Sequence, residues 1–268
     1  MIMPTWNSNQ EFFPLVLKRV KEIINPHHFI VIDRYSSDGT IDLVLSIFPR
    51  DKLRIVQADL DLGPARALGI KLADTDVIGF IDSDVLIPLK LRNKISEAIK
   101  IVYESPKIGA VCFSFGSDTR SYRVIRNCNY ATNKEILING LNKLCRGFTF
   151  LCFMKKSLVY DWISSLSAFE DFSLSQHVIT KGYHWIELGG GLTHLKETKY
   201  KGLERFLKQG LWEGANMKLV SIDFQKAFMH ILGRLGGALI KAKPDQLITY
   251  IGYVLGYVNS RRFLIWRR

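Results

Sequence analysis

The sequence predicts an α/β protein with a mostly parallel central sheet flanked by helices, continued by a helical C-terminal tail. Two observations lead there. In the first half, apolar runs of strand length alternate with longer stretches of helical period. Two of those runs also end directly in acids, at Asp33 and at Asp82-Ser83-Asp84. In open parallel sheets, ligands bind beyond the carboxyl ends of the strands.

The elements follow in order. Ile2–Thr5 reads as a very short strand, and residues 11–24 carry apolar side chains at helical spacing. Phe29–Asp33 (FIVID) is a buried-strand run, followed by a helix over 39–48. Leu53–Gln57 is a strand, 64–73 a helix, and Val77–Ile81 (VIGFI) another buried strand. Beyond them the pattern is mixed: a strand over 108–115, a helix over 127–144 and a strand over 147–153. Residues 162–181 carry the acidic pair Glu170-Asp171, and after His194 the chain turns basic and helical. Residues 241–245 (KAKPD) read as a turn between two C-terminal helices.

A chain of 268 residues with 47% apolar content suffices for one large domain and its core. The expected division is a domain over 1–200 and a basic, apolar tail over 201–268. The formal charge is +12. Residues 194–268 hold 14 Lys and Arg against five Asp and Glu, so most of the excess lies in the last quarter. Basic residues beside apolar runs suit an anionic surface, either lipid headgroups or phosphorylated ligands. Without zinc-finger spacing or an RNA-binding aromatic signature, nucleic acid is the weaker reading. Cys112, Cys128, Cys145 and Cys152 form no CxxC pair, which fits reduced, partly buried thiols in a cytosolic protein. The first six residues do not read as a signal peptide. No segment offers the ~20 apolar residues of a membrane span.

Three features carry chemistry. Asp82 and Asp84, at i and i+2 after a buried strand, project to one side if the extension persists. Both then serve a hard divalent cation, Mg²⁺ or Mn²⁺, or a ribose hydroxyl. Asp33 at its strand end can accept from a nucleobase N–H, while Ser36, Ser37 or Asp38 caps the next helix. Gly189-Gly190-Gly191 is not a dinucleotide fingerprint, and reads as a flexible loop able to close over a donor.

Together these residues resemble the family 2 glycosyltransferases, which have the GT-A fold. Four blocks in the usual order carry the likeness. Pro4-Thr5-Trp6-Asn7 looks like the opening P-T-Y-N, and residues 32–40 look like V-D-D-x-S-x-D-G-T. Residues 63–70 (GPARALGI), leading through Ala73 into 78–84, look like G-x-x-x-A-x-N-x-G and the DxD. Phe169-Glu170-Asp171 looks like the later E-D. The departures are Arg34 in place of the second acid, Ala67 where Asn is frequent, and a tail that matches weakly.

The resemblance implies an inverting, metal-dependent transfer from a nucleotide-diphosphate sugar, UDP- or GDP-linked, to a glycan or lipid-linked acceptor. It implies that Pro4, Thr5, Asn7 and Asp33 meet the nucleotide, that Arg66 reaches the donor phosphates, and that Asp82 and Ser83 hold the donor. Asp84, Asp82 and His194 would bind Mn²⁺ or Mg²⁺. Asp171, paired with Glu170, would be the general base. Polyprenyl-phosphate glycosyl synthesis and a catalytically inactive nucleotide-sugar-binding subunit are the alternatives.

In the tail, Phe228, Ile231, Leu232, Leu235 and Leu239 recur at helical spacing, and 247–258 is apolar. Arg261, Arg262, Arg267 and Arg268 follow, with aromatic and aliphatic residues between them. This fits an anchor at the cytoplasmic membrane face, or packing against a second copy in a homodimer.

Overall fold

The computed structural model describes residues 1–116, 122–125, 146–166, 170–195, 206–207, 210–211, 214 and 244–258. The elements are β1 (Ile2–Thr5), α1 (Phe13–Arg19), β2 (Phe29–Asp33), α2 (Thr40–Ile47), β3 (Leu53–Gln57), α3 (Leu62–Leu72) and β4 (Val77–Ile81). Then come β5 (Val85–Leu86), α4 (Arg92–Glu104), β6 (Ile108–Ser114), β7 (Tyr122–Ile125), β8 (Leu151–Lys155), α5 (Lys156–Val159) and α6 (Glu170–Thr180). The last are β9 (His184–Gly189), β10 (Thr193–His194) and α7 (Pro244–Val258).

Eight strands form one sheet in the order β3-β2-β1-β4-β8-β6-β9-β7. The run β3-β2-β1-β4 is parallel, as is β6 with β9, while β8 and β7 are reversed. Side chains alternate across the pleat, so each strand feeds two cores. Met3, Val31, Ile81, Val111 and Phe153 face the layer of α1 and α4, where Phe13, Leu17, Ile95 and Val102 are buried. Ile2, Ile32, Phe80, Cys112 and Met154 face α3, α5 and α6, packing with Ile70, Val159, Leu174 and Val178. Burial on both faces explains why the strands read as nearly unbroken apolar runs.

Reversal of β8 places its start, not its end, at the functional rim. Leu151 lies beside Ile81, and the Asp82 N–H donates to the Phe150 carbonyl at 3.2 Å. The strand expected over 147–153 therefore begins later, at Leu151, and 146–150 lead into it along the rim. A helix expected over 127–144 lies outside the described residues, as do Cys128, Cys145, Phe169 and the stretch 224–240. Cys112 and Cys152 are buried and free, in register across β6 and β8.

The expected turn over 241–245 is displaced at its end. Pro244 opens α7, because proline is tolerated where the helix N–H groups have no partner. On α7, Gly252 and Gly256 lie against helical residues Leu207, Gly210 and Leu211, so that an added Cβ would meet backbone. No helix among the described residues is long and apolar enough to cross a membrane.

Candidate active site

The ends of β1, β2 and β4 build one rim. Asp33 is fully buried at the end of β2. Thr5 donates to its Oδ1 at 2.8 Å, and Ser36 donates through its hydroxyl at 2.5 Å and its N–H at 2.8 Å. Gln57 Nε2 donates to Oδ2 at 3.1 Å, a partner that no motif in the sequence marks. Such a cluster of donors fixes the carboxylate against rotation.

Asn7 and Tyr35 both take left-handed backbone, with φ of 46° and 48°. For non-glycine residues that conformation costs about 1–2 kcal/mol and persists only where the surroundings enforce it. Here the two loops zip together. The Asn7 N–H donates to Ser36 Oγ at 2.7 Å, and the Ser37 N–H donates to Asn7 Oδ1 at 3.0 Å. Ser36 thus serves Asp33 and Asn7 rather than capping α2, whose N-cap is Gly39. Ser8 and Ser83 hydroxyls meet at 3.0 Å, joining this loop to the DxD segment.

Arg34, in the place of the familiar second acid, forms ion pairs with Asp59 at 2.7 Å and Asp61 at 3.0 Å. Its guanidinium lies 5.2 Å from the half-exposed Trp6 ring.

Arg66 does not stand where a phosphate-reaching side chain would. It is 1% exposed, because α3 packs its buried face on the sheet. One terminal nitrogen meets Asp82 at 2.5 Å and the other meets Glu170. The arginine therefore joins the DxD segment to the start of α6. Burial pushes the Asp82 carboxyl up, against the pull of Arg66. Burial likewise raises Glu170 to about 7, with Arg66 opposing and Asp171 adding to the rise.

Asp171, 4% exposed, accepts from Arg146 Nε at 2.7 Å. The Phe172 N–H donates to its other oxygen at 2.7 Å, at the start of α6 where helix N–H groups favour an anion. Arg146 escaped sequence reading, since nothing in a lone arginine marks its partner 25 residues away.

Asp84 takes a different partner from Asp82. It pairs with His194 Nε2 at 2.9 Å, and β10, which carries His194, is hydrogen-bonded to β5 just after the DxD segment. Among the described residues, no three His, Cys, Asp or Glu side chains form a ready cation cage. Still, Asp84 and His194 are 29% and 33% exposed, an oxygen–nitrogen pair with room for outside ligands. That donor set fits Mn²⁺, with a diphosphate and water completing the shell.

The glycine segment is not the free loop expected. Gly189 ends β9, Gly190 N–H donates to Ser114 at 3.1 Å, and Gly191 N–H donates to Gly116 at 2.7 Å. Those bonds bind it to the end of β6.

Between the two charged ends lies a row of rings. Phe148 stacks on Phe150 at 4.9 Å, Phe150 faces Phe115 at 4.4 Å, and Phe115 faces His194 at 5.6 Å.

A mostly parallel α/β sheet with Asp33 and Asp82 at the carboxyl ends of the strands on either side of β1 has the layout of a ligand-binding rim. Residues 1–161 match the family described as Glycosyl transferase family 2. The chain belongs to that family.

Curated relatives are a SPbeta prophage-derived glycosyltransferase, SunS, of Bacillus subtilis, 30% identical over 32% of this chain, and the O-antigen chain rhamnosyltransferase RfbN of Salmonella typhimurium, 35% identical over 42%. The matches span only 21% and 35% of those relatives' own lengths. Among solved structures, the mannosyltransferase PcManGT from Pyrobaculum calidifontis, in complex with GDP-Man and Mn²⁺, superposes with a TM-score of 0.61 at 15% identity, covering 100% of this chain and 86% of that one. S. aureus TarS gives 0.53 at 14% identity, covering 98% of this chain and 52% of that one.

Proposed function

We propose that this protein transfers a sugar from a nucleotide-diphosphate sugar to a hydroxyl acceptor with inversion, using a divalent metal. The observation that carries it is the hydrogen-bonded continuity of the rim. Thr5, Asp33, Ser36, Asn7, Ser8 and Ser83 form one side, and Asp82, Arg66 and Glu170 lead on to Asp171.

Each part has a task. Asp33, whose oxygens are taken by Thr5, Ser36 and Gln57, orders the loop against which a uracil or guanine rests, with Pro4 and Asn7 shaping the wall. Asp82 and Ser83 hold the donor, and Arg66 keeps Asp82 and Glu170 in place. Asp84 and His194 would hold Mn²⁺ or Mg²⁺, which when bound neutralises charge on the leaving diphosphate. Asp171, oriented by Arg146, takes the proton from the acceptor hydroxyl as it attacks in line. PcManGT holding GDP-Man and Mn²⁺ supports a nucleotide sugar and a metal in this fold.

The tail supports a place at the cytoplasmic face of a membrane. Ile251, Leu255 and Val258 are exposed on one side of α7, and four arginines follow. Such a combination lies in the lipid interface rather than crossing it. A glycan or lipid-linked glycan acceptor fits that location.

The test is a panel of UDP- and GDP-sugars with Mn²⁺ or Mg²⁺, scored for donor binding and turnover. Asp171→Asn is expected to keep donor affinity while losing transfer by about 10²–10⁴-fold. Undiminished turnover in that variant would remove the base assignment. Donor binding without turnover in wild type would favour a non-catalytic subunit.

A further inference from the structure

Residues 146–150 alternate between partly exposed and buried positions: Arg146, Phe148 and Phe150 share the open side, while Gly147 and Thr149 turn inward. The inward side is firmly seated. The Gly147 N–H donates to the buried Ser175 hydroxyl at 3.1 Å, and Thr149 is 2% exposed. On the outward side the Phe148 and Phe150 rings stack at 4.9 Å with planes 28° apart. Phe115, 41% exposed at the end of β6, continues the row with a tilt of 32° to Phe150. Three rings from two separate strand ends thus form one shallow apolar floor.

The floor has polar ends of defined chemistry. Arg146 lies over Phe148 at 5.7 Å and holds Asp171. At the other end Phe115 faces His194, which holds Asp84. The rings therefore bridge the base to the metal-fitting pair. Phe148 and Phe150 are partly buried against the core and Phe115 is the open one, so the row is a seated apolar surface between polar ends, the lining that ligand sites use.

We propose that the Phe148–Phe150–Phe115 floor is the acceptor subsite, and that it takes a pyranose ring lying flat. A pyranose presents C–H bonds on its faces and hydroxyls on its edge. The weakly positive C–H hydrogens suit the negative face of an aromatic ring. The edge hydroxyls then reach the charged groups at the ends of the floor, one of them within range of Asp171. An isoprenyl phosphate would bring an anion against the carboxylates of Asp171 and Asp84, whereas neutral hydroxyls can both donate and accept there, so the geometry favours a sugar. This inference rests on the transferase reading and adds to it the surface that seats the acceptor ring.

Saturation-transfer NMR tests the floor directly. The probes are methyl α-rhamnopyranoside, methyl α-mannopyranoside, methyl β-glucopyranoside and farnesyl phosphate, each with the protein, a bound nucleoside diphosphate and Mn²⁺. At least one pyranoside is expected to receive saturation on its C–H face. Phe148→Ala and Phe115→Ala should each weaken that binding by about ten-fold, and Phe148→Tyr should retain it. Unchanged melting and nucleotide affinity in the variants would exclude misfolding and damage to the donor side. Three results overturn the proposal: no signal from any pyranoside, a signal indifferent to both alanine variants, or a ring-dependent signal from farnesyl phosphate alone. Loss of nucleotide binding in wild type would instead count against the transferase reading itself.

Discussion

Replacing Arg66 by methionine removes a buried cation that faces two carboxylates, and the cost follows from where it sits. Arg66 is 1% exposed, with Asp82 and Glu170 on its terminal nitrogens. Breaking a buried ion pair by deleting one partner costs about 3–5 kcal/mol. For a chain of this size that corresponds to a loss of roughly 6–20 °C in melting temperature.

The loss must also depend on pH. Glu170 in the wild type is raised from 4.5 to about 7, so its stabilising contribution is complete below 4.5 and fades as pH rises through about 7. Without the pull of Arg66, Glu170 keeps its proton higher still. Above about pH 7 the variant therefore falls behind by ~1.4 kcal/mol per pH unit for each proton it retains. Urea unfolding at about pH 5 and about pH 8.5, followed by far-UV circular dichroism, reads the difference. The deficit should be smaller at the lower pH, where Asp82 alone loses a charged partner, and larger by about 2 kcal/mol at the higher. Equal deficits at both, or a deficit below about 1 kcal/mol at pH 8.5, would refute the reasoning. Arg66→Lys should recover only part of the loss, since one ammonium cannot match the guanidinium fork.

Three more outcomes are expected. Asp33→Asn should weaken donor binding by about 10–100-fold, because the Thr5 and Ser36 donors lose the charged acceptor that orders their loops, as read by calorimetry with the nucleoside diphosphate. His194→Ala should raise the Mn²⁺ concentration needed for half-maximal nucleotide binding by about ten-fold or more, with little effect on melting of the metal-free protein. Gly147→Ala would drive a Cβ into the Trp185 indole and should cost about 1–3 kcal/mol by urea unfolding.

Much of the donor half was legible because burial on both sheet faces writes itself as apolar runs such as FIVID and VIGFI. Asp33 and the DxD acids were legible for the same reason: each follows such a run directly. Helix α4 went unread although Ile95, Ala98 and Val102 recur at helical spacing, because charged residues dominate the rest of its surface. Arg66 illustrates a different limit. An arginine between two alanines on a helix gives no sign of whether it faces solvent or a glutamate 104 residues away. The ring floor is similar: R-G-F-T-F alternates like any half-buried strand, and only the reversed direction of β8 brings it to the rim.

That reversal divides the labour of the domain. The nucleotide side hangs on consecutive parallel strands whose loops brace one another, so it tolerates little drift. The opposite wall is delivered by one incoming segment, anchored at Gly147 and Thr149. Arg146 on its outward side is tied to Asp171, while Phe148 and Phe150 are partly buried rings with one edge open. On the proposed reading, the acceptor side can therefore change at positions 148 and 150 while the braced loops of the β1–β4 rim stay as they are.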